Sequence, residues 1–68
     1  MEFIRRLRRL GFEGPSPGRR HERMNYQGRR MILPSNGEYS LTQLRMLIRQ
    51  VEERIGREIT VEEWNSLN

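Results

Sequence analysis

The apolar residues of this chain change their spacing twice. From residue 3 to residue 10 they recur at helical intervals, from about residue 20 to residue 26 the side chains alternate between two faces, and from 41 to 55 the helical spacing returns. A period of 3.6 residues is typical of an amphipathic helix, and a period of 2 is typical of a half-buried strand. The order of these periods along the chain predicts a helix, then an antiparallel hairpin, then a second helix.

The first segment predicts one short helix with opposed faces. Gly11 can end this helix in a left-handed conformation, and Phe12 then returns the chain to the core. The following stretch, Gly14 to Gly18, holds Pro15 and Pro17 and is expected to be irregular. The apolar arc and the basic arc of the helix comprise Phe3, Ile4, Leu7 and Leu10 on one side, and Arg5, Arg6, Arg8 and Arg9 on the other.

The alternating segment predicts a hairpin. A turn is expected at Gln27 and Gly28, and the return strand is expected to run from Arg30 to Leu33, where Pro34 stops it. The first strand begins at about Arg20. Its two faces are predicted to carry Glu22, Met24 and Tyr26 on one side, and His21, Arg23 and Asn25 on the other.

The second half predicts a long helix and a short one. Ser40 and Gln43 have the spacing of a capping box, and Gly56 is a suitable stop. Thr60 and Glu63 repeat the box and predict the start of a last helix. Ile59, just before this helix, is placed to contact Trp64 within it as a hydrophobic staple. The buried stripe of the long helix is predicted to be Leu41, Leu44, Leu47, Ile48, Val51 and Ile55.

These elements predict one α+β domain over residues 1–68: a helix, a small antiparallel sheet of two or three strands, a long helix and a short C-terminal helix. The helices are expected to cover one face of the sheet. A chain of 68 residues buries only about 60% of its unfolded surface, which disfavours a large enclosed active site. No apolar run reaches the roughly 18 residues of a membrane span, so we expect a cytoplasmic protein without a membrane partner.

The charge is unevenly distributed. Residues 1–37 hold nine Arg and three Glu, whereas residues 38–68 hold four Arg and six Glu, and the chain has no Lys. Guanidinium groups match the geometry of phosphate oxygens with two parallel hydrogen bonds. The front half is therefore expected to meet a polyanionic partner.

Several motifs follow one another along these segments. A short basic helix ends in Leu10-Gly-Phe-Glu13, and a Gly-rich loop leads Gly18-Arg-Arg-His21 onto a strand. The next strand ends in Ile32-Leu-Pro34. Together with the closing helix, Leu44 to Gln50, and the acidic ending from Ile59 to Trp64, these motifs in this order resemble the HicA (YcfA-like) toxin family. The chain departs from it by having Arg19 and Arg20 before the histidine, and extra residues between Gln50 and Ile59.

The resemblance implies an endoribonuclease of a toxin–antitoxin pair that cleaves mRNA. It implies a fold like a double-stranded-RNA-binding domain, inhibition by a HicB-type antitoxin, and a monomer when the antitoxin is absent. The catalytic histidine of the family corresponds to His21.

The chemistry can also be argued from the residues. RNA cleavage without a metal requires a base, an acid and cations near the phosphate. His21 can serve as the base, and the acid is left as His21 itself, water or Tyr26. No cofactor is expected, and the scattered glutamates offer no metal-ligand spacing. The predicted RNA-binding residues are Arg19, Arg20, Arg23, Arg29, Arg30, Arg5 and Arg9.

Other interpretations remain open. On composition alone, a lone histidine in a basic loop is more often a surface residue than a catalyst. The main alternative is a non-catalytic RNA-binding module of the same fold. A DNA-binding regulator is less favoured because the sequence has neither helix-turn-helix spacing nor a basic recognition helix.

Overall fold

A computed structural model describes residues 2–16, 22–35 and 38–67 and has the predicted α+β class. Within these residues, no helix is both long enough and apolar enough to cross a membrane. The elements are α1 (Glu2–Leu10), β1 (Glu13–Ser16), β2 (Glu22–Tyr26), β3 (Arg29–Leu33), α2 (Leu41–Ile55) and α3 (Val61–Ser66).

The three strands form one antiparallel sheet in the order β1-β2-β3. The prediction of an irregular loop beginning at Gly14 is wrong, because β1 runs to Ser16 as an edge strand. Pro15 is tolerated there because an edge strand leaves one side without ladder bonds. The pairing with β2 is interrupted between Glu13 and Ser16 by a shift in register. Residues 17 and 18 of the predicted loop lie outside the described residues.

The β2–β3 hairpin turns at the predicted residues. Gln27 and Gly28 have φ angles of +48° and +84°, the left-handed pair that a two-residue hairpin turn requires. Met24 pairs with Met31 across the ladder, and both side chains are buried. The return strand begins at Arg29, one residue earlier than predicted.

The core lies between one sheet face and the helices. Because α1 and α2 residues join the same buried cluster as the inward residues of β2 and β3, both helices lie on that face, as predicted. The partly buried Leu10, Tyr26, Leu44, Ile48 and Trp64 pack against the cluster, which confirms their predicted place in the core. The buried residues are Phe3, Leu7, Phe12, Met24, Met31, Leu33, Leu47 and Val51.

Both predicted helix starts are capped. The Ser40 hydroxyl accepts a hydrogen bond from the backbone N–H of Gln43 at 3.1 Å, and the Thr60 hydroxyl accepts one from that of Glu63 at 3.1 Å. Gly56 ends α2 with a φ of +79°. One residue of the predicted apolar stripe is misplaced: Leu41, in the first turn of α2, is 65% exposed.

The last helix is anchored to the first by aromatic contacts. The ring centroid of Trp64 lies 5.2 Å from that of Phe3, and the guanidinium of Arg6 lies 5.4 Å from the Trp64 ring. Trp64 is therefore a core anchor of α3 rather than a free stacking surface.

Candidate nucleic-acid interface

The helices leave one face of the sheet uncovered, and we call it the open face. Because side chains alternate along a strand, the neighbours of the buried Met24 and Met31 point away from the helices. The open face carries Arg23, Asn25, Arg30 and Ile32, all exposed.

Arg23 and Arg30 are diagonal neighbours on the open face. Asn25 pairs with Arg30, and Arg23 pairs with Ile32, so the two arginines lie on adjacent strands two positions apart. Together with Ser16 and Asn25 they line one shallow depression. Such diagonal positions are about 7–8 Å apart, within reach of two long side chains.

Within the described ranges, no acidic side chain forms an ion pair with these two guanidinium groups. Among residues 2–16, 22–35 and 38–67, neither Arg23 nor Arg30 has a side-chain ion pair or hydrogen bond. Glu13 is opposite Asn25 in register but forms no ion pair with either arginine. As far as the described residues show, the open face can therefore offer two guanidinium groups to an anion, and guanidinium groups bind phosphate strongly.

Arg29 does not join Arg23 and Arg30. It lies on the helix-covered side of β3, opposite Tyr26. Its Nη1 donates a hydrogen bond to the backbone carbonyl of Arg54 at 2.8 Å. The strands therefore place Arg29, one of the predicted RNA-binding residues, on the opposite sheet face from Arg23 and Arg30.

Arg5 and Arg9 lie on a second basic surface. The apolar arc of α1 packs against the helix-covered face of the sheet, so its basic arc points away from the sheet. Arg5 forms an ion pair with Glu2 at 3.6 Å. Arg9 is exposed and has no ion pair within the described residues. This surface is separated from the open face by the thickness of the domain.

His21, Arg19 and Arg20 lie outside the described residues. The next residue in the chain, Glu22, begins β2 and pairs with Leu33. The predicted alternation is confirmed for the part of β2 that is described, since Met24 is buried and Arg23 and Asn25 are exposed.

Tyr26 is not on the open face. Its ring lies 5.1 Å from that of Phe12, measured between centroids, and its side chain packs against the core. The tyrosine that the sequence offered as a possible proton donor is therefore on the opposite side of β2 from Arg23 and Asn25.

The predicted site residues did not include Asn25 on the open face, nor Arg45 on α2, which lies apart from the open face. Asn25 is directly opposite Arg30 and two positions from Arg23 along β2, and its side chain adds amide donors and an acceptor to the open face. Arg45 and Arg49, four residues apart on α2, are exposed and have no ion pair in the part of the chain that the structure describes. The spacing of these arginines beside the apolar stripe was the available sequence evidence.

The described residues contain no group of three or more His, Cys, Asp or Glu side chains that could hold a metal ion. Comparison with known proteins gives no match to a family model, to a curated protein or to a solved structure.

Proposed function

We propose that this protein is an endoribonuclease toxin of the HicA type, which cleaves mRNA with His21 as its general base. The observation that supports the proposal best is that Arg23 and Arg30 lie together on the open face and form no ion pair with any other described residue. His21 is two residues before Arg23 in the chain. The predicted alternation of β2 would give His21 and Arg23 the same face.

The architecture is compatible with this proposal. A helix, three antiparallel strands and a second helix, with both helices on one sheet face, follow the order expected of a fold like a double-stranded-RNA-binding domain. The proposal assigns the chain to that fold and takes the short α3 as an addition. It also includes a cytoplasmic location, a HicB-type antitoxin as protein partner and a monomeric state without it.

The proposed reaction needs one proton acceptor and positively charged side chains around the phosphate. His21 takes the proton of an RNA 2′-hydroxyl, and the 2′-oxygen attacks the adjacent phosphorus while the bond to the 5′-oxygen breaks. The leaving 5′-oxygen receives a proton from protonated His21 or from water. Arg23 and Arg30 stabilise the charge that builds on the phosphate oxygens, together with Arg19 and Arg20.

The remaining arginines have supporting roles in the proposal. Arg5 and Arg9 hold more distant phosphates by long-range attraction, which is strong in low salt and screened beyond about 10 Å at 0.1 M ionic strength. Arg29 contributes by fixing the start of β3 to the end of α2.

The location of Tyr26 favours a second candidate, a non-catalytic RNA-binding module. His21 is the only histidine of the chain, and Tyr26 lies on the helix-covered side of the sheet. His21 must therefore either perform both proton transfers or rely on water. A module that only binds RNA has no such requirement.

Purified protein incubated with a long mRNA distinguishes the two functions. We expect fragments from the wild type, none from His21→Ala or His21→Gln, and wild-type RNA affinity in both variants. Arg49→Gln, an exposed arginine on α2, is the control and should cut normally. Equal cutting by wild type and His21→Ala would refute the catalytic assignment, and binding without cutting by the wild type would identify a binding module.

A further inference from the structure

A second surface, separate from the open face, lies between α2 and α3. It is a groove of about 550 Å³, and we call it the α2–α3 groove. Its floor consists of the half-buried side chains of Leu44, Ile48 and Trp64, and Leu41 and Val61 stand at its edge.

The edge residues are unusually exposed for their type. Val61 is 72% exposed and Leu41 is 65% exposed. Each is the first residue of its helix, so neither is needed to continue a buried stripe. Two aliphatic side chains beside a half-buried apolar floor form one contiguous patch, the kind of surface that marks an interaction site.

The positive charge on the rim of the groove favours an acidic partner. Arg45 and Arg49 line the same groove and are exposed, with no ion pair in the described residues. Positions four apart on a helix lie on one side, about 5–6 Å apart at their Cβ atoms. The acid in the lining, Glu52, accepts a hydrogen bond from the backbone N–H of Ile59 at 2.8 Å and is thereby already engaged.

We propose that the α2–α3 groove is a docking site for an acidic, amphipathic helical segment of a protein partner. Apolar side chains of that segment would cover Leu41, Val61 and the floor, and its carboxylates would pair with Arg45 and Arg49. An apolar floor flanked by aliphatic side chains favours a peptide, because an amphipathic helix can lay its apolar face into such a groove. The inference does not depend on ribonuclease activity.

The chain carries its own reporter for this site. Trp64 is the only tryptophan and lines the groove, so its fluorescence responds to occupancy without labelling. The probe is a displayed library of randomised peptides about 15 residues long, roughly four helical turns. It is selected on the full chain, and the enriched peptides are then synthesised without tryptophan and titrated.

We expect the selection to enrich peptides with Glu or Asp beside apolar residues three and four apart. Their binding should change Trp64 emission saturably and weaken at least about tenfold when the acidic residues are replaced by Lys. Arg45→Glu with Arg49→Glu should reverse that preference. Enrichment with no acidic bias would overturn the proposal.

Two groove variants and a matched control complete the test. Leu41→Asp and Val61→Asp each place an acid in the first turn of a helix, where it favours folding, and both should no longer bind the enriched peptides. Met46→Asp changes a residue of α2 that is 55% exposed and lies outside the groove lining, so it should bind normally. Equal binding by all three variants would refute the site.

Two other occupants give distinct results, and either would overturn the proposal. A short single-stranded RNA that displaces the peptide would assign the groove to nucleic acid. Trp64 emission that changes with protein concentration, and no longer does so in Val61→Asp, would assign it to a second copy of the chain. Cleavage of mRNA by Val61→Asp should equal that of the wild type, so the failure of one proposal leaves the other intact.

Discussion

Arg29 and Arg54 hold the start of β3 against the end of α2. The Arg29 guanidinium donates to the Arg54 carbonyl at 2.8 Å, and the Arg54 guanidinium donates to the carbonyls of Arg30 at 3.2 Å and Gln50 at 3.0 Å. The last four carbonyls of a helix have no partner within it, so the hydrogen bond from Arg29 satisfies the Arg54 carbonyl at the C-terminus of α2. It also keeps Arg29 away from the open face.

Replacing Arg54 by Gln should lower the free energy of unfolding by about 1 kcal/mol, because the hydrogen bonds from its guanidinium to the carbonyls of Arg30 and Gln50 would be lost. Urea denaturation measures the change. The control is Arg49→Gln, an exposed arginine of the same helix with no ion pair among the described residues. Equal stabilities of the two variants would show that the Arg54 hydrogen bonds contribute nothing.

The cost of shortening an apolar side chain in α2 should follow its burial. Leu47 is 1% exposed, and Leu47→Ala should cost about 2–5 kcal/mol, since it leaves a cavity. Ile48 is only half-buried, so Ile48→Ala should cost less, and Met46→Ala should change stability by less than about 0.5 kcal/mol. Thermal unfolding of the three variants checks this order, and any other order would contradict the packing of α2.

Gly14 should tolerate Ala less well than Gly28. Both have a positive φ, +120° and +84°, which disfavours any side chain. At Gly14 an added Cβ would also lie 2.8 Å from the backbone oxygen of Arg23, whereas at Gly28 it would meet nothing within 4 Å. We expect a lower melting temperature for Gly14→Ala than for Gly28→Ala. Similar melting temperatures would mean that β1 can move away from β2 at no cost in stability.

The ion pair between Arg57 and Glu63 should make stability depend on acid pH. Hydrogen bonds from Arg57, at 2.8 and 2.7 Å, lower the pKa of Glu63 below its ordinary 4.5. A carboxyl with a lowered pKa in the folded state stabilises the fold fully above its unfolded pKa and loses that effect as the pH falls through the folded pKa. Unfolding in urea at neutral pH and at about pH 3 should show a smaller pH effect in Glu63→Gln than in the wild type. Identical pH effects would exclude the contribution.

The open face should account for part of the salt dependence of RNA binding. Arg23→Gln with Arg30→Gln should reduce the slope of log affinity against log salt by about 0.7 for each phosphate of a single-stranded RNA that the variant no longer neutralises. Arg45→Gln with Arg49→Gln removes the same charge from α2 and should leave the slope close to that of the wild type. Equal slopes for both double variants would remove the open face as the RNA site.

Much of the architecture follows from local sequence patterns. The helical spacing of Phe3 and Leu7, the capping residues Ser40 and Thr60, and the Gln27-Gly28 turn each act over a few residues. Such effects are decided by neighbours in the chain, so they are readable before the fold is known. The alternation around Met24 belongs to the same class.

The strand at Glu13–Ser16 could not be read in this way. Gly14 and Pro15 are poor strand residues by propensity, and only pairing with β2 and the exposed edge position allow them there. The burial predicted for Leu41 was wrong for a related reason. Its spacing matches the apolar stripe of α2, but it is the first residue of that helix and its side chain is left exposed in the folded domain.

The grouping of the arginines depended most on tertiary structure. The sequence by itself determined that the front half is basic and that Arg23 and Asn25 share one side of a strand, because charge and alternation are local properties. The register of β2 with β3 decided that Arg23 lies near Arg30 and not near Arg29. The carbonyl of Arg54 in α2 accepts a hydrogen bond from Arg29 and holds it on the other side of the sheet. Those relations join residues distant in the chain, and the energy that selects them comes from packing and hydrogen bonds that exist only in the folded domain.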